Sequence, residues 1–281
     1  MSLPLLMDLV KRSADYLVGH GIANGRREAE WIFSEGLNLT RLELYTRFDM
    51  PLDEEEVGRL RALVQRRGRR EPLAYVLGNQ EFCGLKLTVT PAVLVPRPET
   101  EELVERVLAD APEAVARLLD IGTGSGALAL AFAHARPGWN VAATDVSPDA
   151  LEVAKANASR LGLAVTFHRG DLASHLQGPF DLIVANLPYV GEDERDECDP
   201  ELAFEPSVAL FAGPDGMDCL RRLIADAGRL LVPRGRMWLE HGWRHRQALA
   251  AACAQHGLEA CTIPDLAGKD RFTRVTKPDA A

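Results

Sequence analysis

After Pro112 the chain alternates short β-type runs with stretches of helical spacing, and that alternation points to a parallel sheet covered by helices on both faces. The run "VARLLDIG" reads as a strand ending at Asp120, followed by a glycine-rich turn and the helix "ALALAFAHA". "NVAATD" is a second strand closed by Asp145. Ser147 and Pro148 then supply an N-cap and a first helical residue for "DALEVAKANASRLG". "AVTFHRGD" and "FDLIVAN" are a third and a fourth strand. Met217, Leu220, Leu223, Ile224, Ala227 and Leu231 fall at the spacing of an amphipathic helix. "RMWLEHG" is a fifth strand and "RHRQALAAACAQHG" a further helix, after which "EACTIPD" and "RFTRVTKP" close the sheet.

The segment before this sheet is helical. In "PLLMDLVKRSADYLVGHG" the residues Leu6, Leu9, Val10, Ala14, Leu17 and Val18 share one face, "RREAEWIFSEGLNL" is a second helix, and Asp53 caps a third, "LDEEEVGRLRALVQRRG". From Glu81 the period changes to two, and "EFCGLKLTVTP" has the look of a hairpin. "RPETEELVERVLADA" then returns to helical spacing. The expected division is a helical domain over 1–78, a hairpin linker over 79–95 and an α/β domain over 96–281. Arg66, Arg67, Arg69 and Arg70 form a basic knot that reads first as a solvated helix end and second as a partner contact.

Composition narrows the function classes. No apolar run reaches membrane-spanning length, and the N-terminus lacks the basic-then-apolar order of a secretion signal, so a cytoplasmic protein with no membrane partner is expected. The five cysteines are scattered, with no C-x-x-C pair, which suggests neither a disulfide framework nor a zinc site. The net charge of −9 falls wholly after Gly78, because residues 1–78 hold 12 Lys/Arg against 12 Asp/Glu. The stretch "GEDERDECDPELAFEP" carries eight carboxylates and one arginine, and a loop so charged repels phosphate.

The chemistry-bearing residues sit where strands end. Gly122, Thr123, Gly124, Ser125 and Gly126 follow a strand and open a helix, an arrangement that lets a nucleotide-type ligand approach the backbone over the helix N-terminus. Asp145 ends the next strand 23 positions after Gly122, where its carboxylate can accept from both ribose hydroxyls of an adenosine. Asp171 closes the third strand and can accept from an adenine amino group, while Leu172 after it packs on the ring. The fourth strand ends in Asn186, Leu187, Pro188 and Tyr189. There the Asn186 side-chain carbonyl and the Leu187 backbone carbonyl can accept both N–H bonds of a planar NH2 group. Pro188 stiffens the loop and Tyr189 packs against the substrate's flat face. Such a site grips an amide or an aromatic amine and aims its nitrogen at an electrophile.

These motifs resemble those of the class I S-adenosylmethionine-dependent methyltransferases, with their D-x-G-x-G turn at Asp120, Gly122 and Gly124 and their Asn-Pro-Pro-Tyr type motif written as "NLPY". More narrowly, "REPLAYVLGNQEFCGLKLTVTPAVLVPRPETEELVE", "FEPSVALFAGPDGMD" and the closing "LAGKDRFTRV" resemble the HemK/PrmC family of protein-(glutamine-N5) methyltransferases. The resemblance implies a Rossmann-like methyltransferase sheet behind a small helical domain. It implies S-adenosylmethionine as cofactor, S-adenosylhomocysteine as product, and class 1 peptide-chain release factors as partners, methylated on the glutamine of a Gly-Gly-Gln loop. It also places Arg97 and Glu99 near the cofactor mouth, although an ion pair in the linker would account for them equally. Leu187 departs from the family's usual proline. Because the contact expected there is a backbone carbonyl, leucine can supply it, less rigidly.

Other enzyme and binding classes fit parts of the same sequence. Asn-Leu-Pro-Tyr also occurs in adenine-N6 methyltransferases of RNA or DNA, which require a basic mouth. The acidic loop argues against them, and no direct nucleic-acid partner is expected. A glutamine methyltransferase of a ribosomal protein is a closer rival. The glycine turn also satisfies a loose nicotinamide-cofactor fingerprint, but that reading leaves "NLPY" without a role. A binding protein that holds the cofactor or the release factor without chemistry is a fourth reading. His241 and His245, four apart, read as surface histidines, and Glu205 and Glu240 read as structural acceptors.

Overall fold

The computed structural model describes residues 3–111 and 116–279. Met1, Ser2, Ala280 and Ala281, at the outer limits of the expected domains, lie outside the described residues, as does Val115 at the head of the first expected strand. The chain forms two compact units, one running to Asn79 and including Asp199–Phe204, the other comprising Gln80–Cys198 and Glu205 onward.

The first unit contains α1 (Leu6–Gly19), α2 (Gly25–Leu37), α3 (Arg41–Thr46), α4 (Glu54–Gly68) and α5 (Leu73–Leu77). Leu6, Val10, Ala14 and Leu17 recur at helical spacing and are buried with Ile32, Phe33, Leu60 and Val64 in one apolar core. Helix α4 starts where the sequence places it: Asp53 accepts from the Glu56 backbone N–H at 2.8 Å, and the Glu56 side chain accepts from the Asp53 N–H at 3.0 Å. The same reciprocal cap, formed by Thr40 and Glu43, starts α3.

The basic knot is not a solvated helix end. Arg67 is 6 % exposed and is paired with both Glu28 and Glu201, while Arg66 pairs with Glu71 and Arg70 with Glu201. A guanidinium with forked donors can satisfy several carboxylates at once, and residues 199–204 belong to this unit accordingly. Arg69 alone of the four is exposed.

The second unit opens within the hairpin of β1 (Asn79–Phe82) and β2 (Leu85–Thr88), turned at Cys83 and Gly84, both at positive φ. It continues with α6 (Pro98–Asp110), β3 (Arg117–Ile121), α7 (Ala127–Ala135), β4 (Asn140–Asp145), α8 (Pro148–Leu161), β5 (Thr166–Arg169) and β6 (Phe180–Asn186). After three short 3-10 turns come α9 (Asp218–Leu230), β7 (Leu231–Glu240), α10 (Arg246–Gln255), β8 (Glu259–Pro264) and β9 (Asp270–Thr276). The seven-stranded sheet has the order β5-β4-β3-β6-β7-β9-β8, parallel from β5 to β7, with β9 antiparallel to both of its neighbours. Leu231, expected on the helix face, begins β7 instead, because α9 has already ended at Leu230.

Alternation along the strands divides the core in two. Leu118, Leu182, Val184 and Trp238 pack with α6 and α7, whereas Leu119, Ile183, Ala185 and Leu239 pack with α9 and α10. Among the described residues no helix is long and apolar enough to cross a membrane.

The burial of Arg67 predicts a sharp contrast within the knot. Arg67→Ala strands Glu28, leaves Glu201 with Arg70 alone and should lower stability by about 3 kcal/mol, whereas Arg69→Ala should change it by less than about 0.5 kcal/mol. Urea unfolding of the two variants followed by circular dichroism measures the difference; equal effects would refute the assignment.

Candidate active site

Parallel pairing brings the motifs together. Ile121 of β3 lies opposite Thr144 of β4 on one side and Ala185 of β6 on the other, so Gly122, Asp145 and Asn186 all emerge at the carboxyl edge of the sheet. The turn is tied across that edge: the Gly122 and Thr123 N–H groups donate to the Thr144 carbonyl at 2.8 and 3.0 Å. Gly124 N–H donates to Asp145 Oδ2 at 2.8 Å, and Ser147 N–H donates to Asp145 Oδ1 at 2.9 Å.

Two glycines in the turn have distinct reasons to be there. Gly122 has φ +76°, and a Cβ added to it would lie 2.8 Å from Cδ2 of Leu187, so the glycine turn and the Asn186 loop touch directly. Gly124, at φ +55°, meets nothing within 4 Å of an added Cβ and leaves open space beside the backbone. That space belongs to a cavity of about 340 Å³, all of whose lining residues lie in the second unit.

Gly122, Thr123, Gly124, Ser125, Asp145, Asp171, Leu172, Asn186, Leu187 and Pro188 all line this cavity. The remaining expected site residues do not. Asp120 is fully buried beneath the turn, where Oδ2 accepts from Thr123 Oγ1 at 2.6 Å and from Ala129 N–H at 3.1 Å, and Oδ1 has no hydrogen-bond partner. Burial pushes its carboxyl up to about 7, and the nearby Asp145 adds in the same direction. Gly126 sits behind the turn as the N-cap of α7. Glu99 is exposed, while Arg97 donates to the buried Glu205, which also accepts from Val95 N–H at 3.1 Å. The pair pins the "PRPET" segment to the chain that precedes Pro206 and Val208, both of which line the cavity. Asp171 holds Arg222 through Oδ2 at 2.6 Å.

Tyr189 lies outside the cavity lining. Its ring packs with the core that includes Leu187 and Leu239, and its hydroxyl donates to Glu240 Oε1 at 3.5 Å. Burial, with the Glu240 charge beside it, raises its hydroxyl pKa. Leu187 is itself 4 % exposed, so its side chain is anchored in the core and fixes a loop position that a proline ring would otherwise stiffen.

Thr100, which lines the cavity from the first turn of α6, was not legible in the sequence. It is one residue beyond the charged pair singled out in "PRPET", and a lone threonine at a helix start carries no signal of its own. Cys219 and Arg222 of α9, also in the lining, were missed for the same reason. His241 and His245 are corrected: they are 0 % and 8 % exposed, not surface residues. His241 Nε2 pairs with Thr273 Oγ1 at 2.8 Å, and burial lowers its pKa to about 4. The acidic loop is also less negative than its composition suggests. Arginines from outside the loop pair with Glu194, Glu201 and Glu205.

Glu240 is a further buried carboxyl, beside Asn186. It is 1 % exposed and is pushed up from 4.5 to about 7, burial outweighing the hydrogen bond from Thr100 and the field of Arg271. Between those two values the folded protein holds a proton that the unfolded chain has released. The stability from this group is therefore complete below pH 4.5 and is lost as pH rises through about 7. Glu240→Gln removes that dependence, so the melting temperature of the variant relative to wild type should climb between pH 5 and pH 8; Asp120 has the same sign but is present in both proteins and cancels. A difference independent of pH would contradict the assignment.

The chain matches two family descriptions, "PrmC N-terminal domain" over residues 8–78 and "Methyltransferase small domain" over residues 99–201. It is 43 % identical over 259 residues to a release factor glutamine methyltransferase of Geobacter sulfurreducens, covering 91 % of each chain. It is 39 % identical to a protein of the same name from Deinococcus radiodurans, covering 97 % of this chain and 98 % of that one. Among solved structures, a methyltransferase from Pyrococcus furiosus superposes with a TM-score of 0.55 at 20 % identity, over 70 % of this chain and 90 % of that one, which shows the α/β methyltransferase fold. Glycine turn, strand-end asparagine and helical leader are thus carried on a sequence that matches such relatives almost end to end, and the chain belongs to the family of release factor glutamine methyltransferases.

Proposed function

We propose that this enzyme transfers a methyl group from S-adenosylmethionine to the side-chain nitrogen N5 of the glutamine in the Gly-Gly-Gln loop of class 1 peptide-chain release factors, leaving S-adenosylhomocysteine and releasing one amide proton to water. The observation that carries the reading is the shared cavity: Asn186, at the end of β6, opens onto the same space as the Gly122–Ser125 turn. The likeness to relatives named for this activity over nearly the whole chain supports the choice of substrate. A cytoplasmic setting and a substrate-recognition role for the helical domain belong to the same proposal.

The residues present fit the cofactor. Gly124 leaves room for a ligand against the backbone, and Asp145 keeps lone pairs beyond those facing Gly124 and Ser147 for ribose hydroxyls. Asp171 keeps Oδ1 for an adenine amino group, and Leu172 offers an apolar surface. Asp120 supports the turn from below and has one oxygen still unpaired. When bound, S-adenosylmethionine supplies the methyl as an electrophile already activated by its sulfonium. In this reading Asn186 Oδ1 and the Leu187 carbonyl accept the two N–H bonds of the glutamine amide. An amide nitrogen is a poor nucleophile because its lone pair is delocalised. Two aligned acceptors fix its orientation and favour density on the nitrogen, and such prearranged polar contacts are where catalysis here must come from. Pro188 restrains the loop, and Tyr189 supports it from behind.

Asn186→Ala should leave the dissociation constant for S-adenosylmethionine within about threefold of wild type and lower the methylation rate of a purified release factor by about 100-fold. Calorimetry and a radiolabel transfer assay separate the two quantities. Turnover that survives the change would eliminate the proposed grip.

A further inference from the structure

The amide of Asn186 is useful to a glutamine only one way round. Its carbonyl must face the substrate N–H2, since a flipped amide would set donors against donors. A free asparagine side chain flips at little cost, so something in the protein must choose the orientation.

The sheet register supplies the candidate. Asn186 of β6 lies directly opposite Glu240 of β7, on the face covered by α6, and Thr100 in the first turn of α6 is buried above them at 3 % exposure. Thr100 Oγ1 donates to Glu240 Oε2 at 2.8 Å, and Asn186 Nδ2 donates to Thr100 Oγ1 at 3.0 Å. A threonine hydroxyl has one proton. With that proton directed to Glu240 Oε2, the hydroxyl oxygen can only accept, and what it accepts must be the N–H end of Asn186. The carbonyl Oδ1 accepts no hydrogen bond among the described residues and is left for a ligand. Glu240 also accepts from Tyr189, the last residue of the motif, so a single buried carboxylate steers both ends of "NLPY".

We infer that Thr100, oriented by Glu240, is a positioning residue that locks the Asn186 amide with its carbonyl toward the substrate and so sets the enzyme's selectivity for an amide nitrogen. The inference rests on the role proposed above for Asn186. Neither Thr100 nor Glu240 needs to touch the reacting atoms; they act through Asn186.

The test is a kinetic cycle on the full-length enzyme with a purified release factor. Thr100→Val keeps the shape and removes the hydroxyl; it should lower kcat about tenfold at saturating S-adenosylmethionine, with the cofactor dissociation constant unchanged. Thr100→Ser, which restores the hydroxyl, should recover most of the loss, a rescue that a purely packing role would not give. In an Asn186→Ala background, read by single-turnover kinetics, Thr100→Val should have no further effect. A wild-type kcat in Thr100→Val overturns the inference, as does an undiminished effect in the Asn186→Ala background. A loss that disappears at saturating cofactor also overturns it, making Thr100 a cofactor contact. Should Thr100→Val fail to fold, Glu240→Gln reads the same device. Its amide can present N–H to Thr100 and reverse the chain, so a fall in kcat of at least about threefold at unchanged cofactor affinity supports the inference, and an unchanged kcat overturns it. If Asn186→Ala itself retains full turnover, the grip has failed rather than its positioning.

Discussion

Everything at the site depends on the parallel pairing of β3 with β4 and with β6. One register places Ile121 between Thr144 and Ala185, and the next residues of those three strands are Gly122, Asp145 and Asn186. A slip of one residue would turn Asn186 away from α6 and bring Ala185 to its place, because side chains alternate across a strand. The contact between Gly122 and Leu187 locks the arrangement from outside the ladder, since no side chain larger than hydrogen fits at 122 without displacing a buried leucine. The glycine turn and the Asn186 loop are therefore one packed object.

The same register explains why the site has a buried acid behind it. Extending β6 to Asn186 brings β7 to Glu240, and α6 closes over both with Thr100. A carboxyl so enclosed is costly to ionise, which is why its pKa is raised, and it persists because hydroxyls from Thr100 and Tyr189 reach it. Nothing in the linear sequence joins residues 100, 189 and 240; only the sheet does.

That contrast marks what could be read in advance. Elements whose cause is local were legible: the Asp53 cap of α4, the Ser147 cap with Pro148 at the start of α8, and the strand-end positions of Asp145 and Asn186. So was the fold class, because alternating strand and helix periods leave few alternatives. Features whose cause is distant were not. Arg67 looks solvated until Glu28 and Glu201 arrive from 39 and 134 positions away. His241 and His245 look like surface residues because polarity suggests exposure, yet Thr273 on β9 gives His241 a buried partner. The acidic loop was read by composition, which cannot show that arginines 97, 67, 70 and 244 answer three of its carboxylates, Glu205, Glu201 and Glu194.

The central claim is that the NH2 group held at Asn186 is a glutamine amide. Mass spectrometry of a purified release factor after incubation with this enzyme and S-adenosylmethionine, with an RNA substrate treated in parallel, tests it most directly. The account predicts one methyl group on the glutamine of the Gly-Gly-Gln loop and none on the RNA. Methyl on adenine with the release factor unmodified would contradict it, and would mean that the cavity at the ends of β3 and β6 holds an aromatic amine instead.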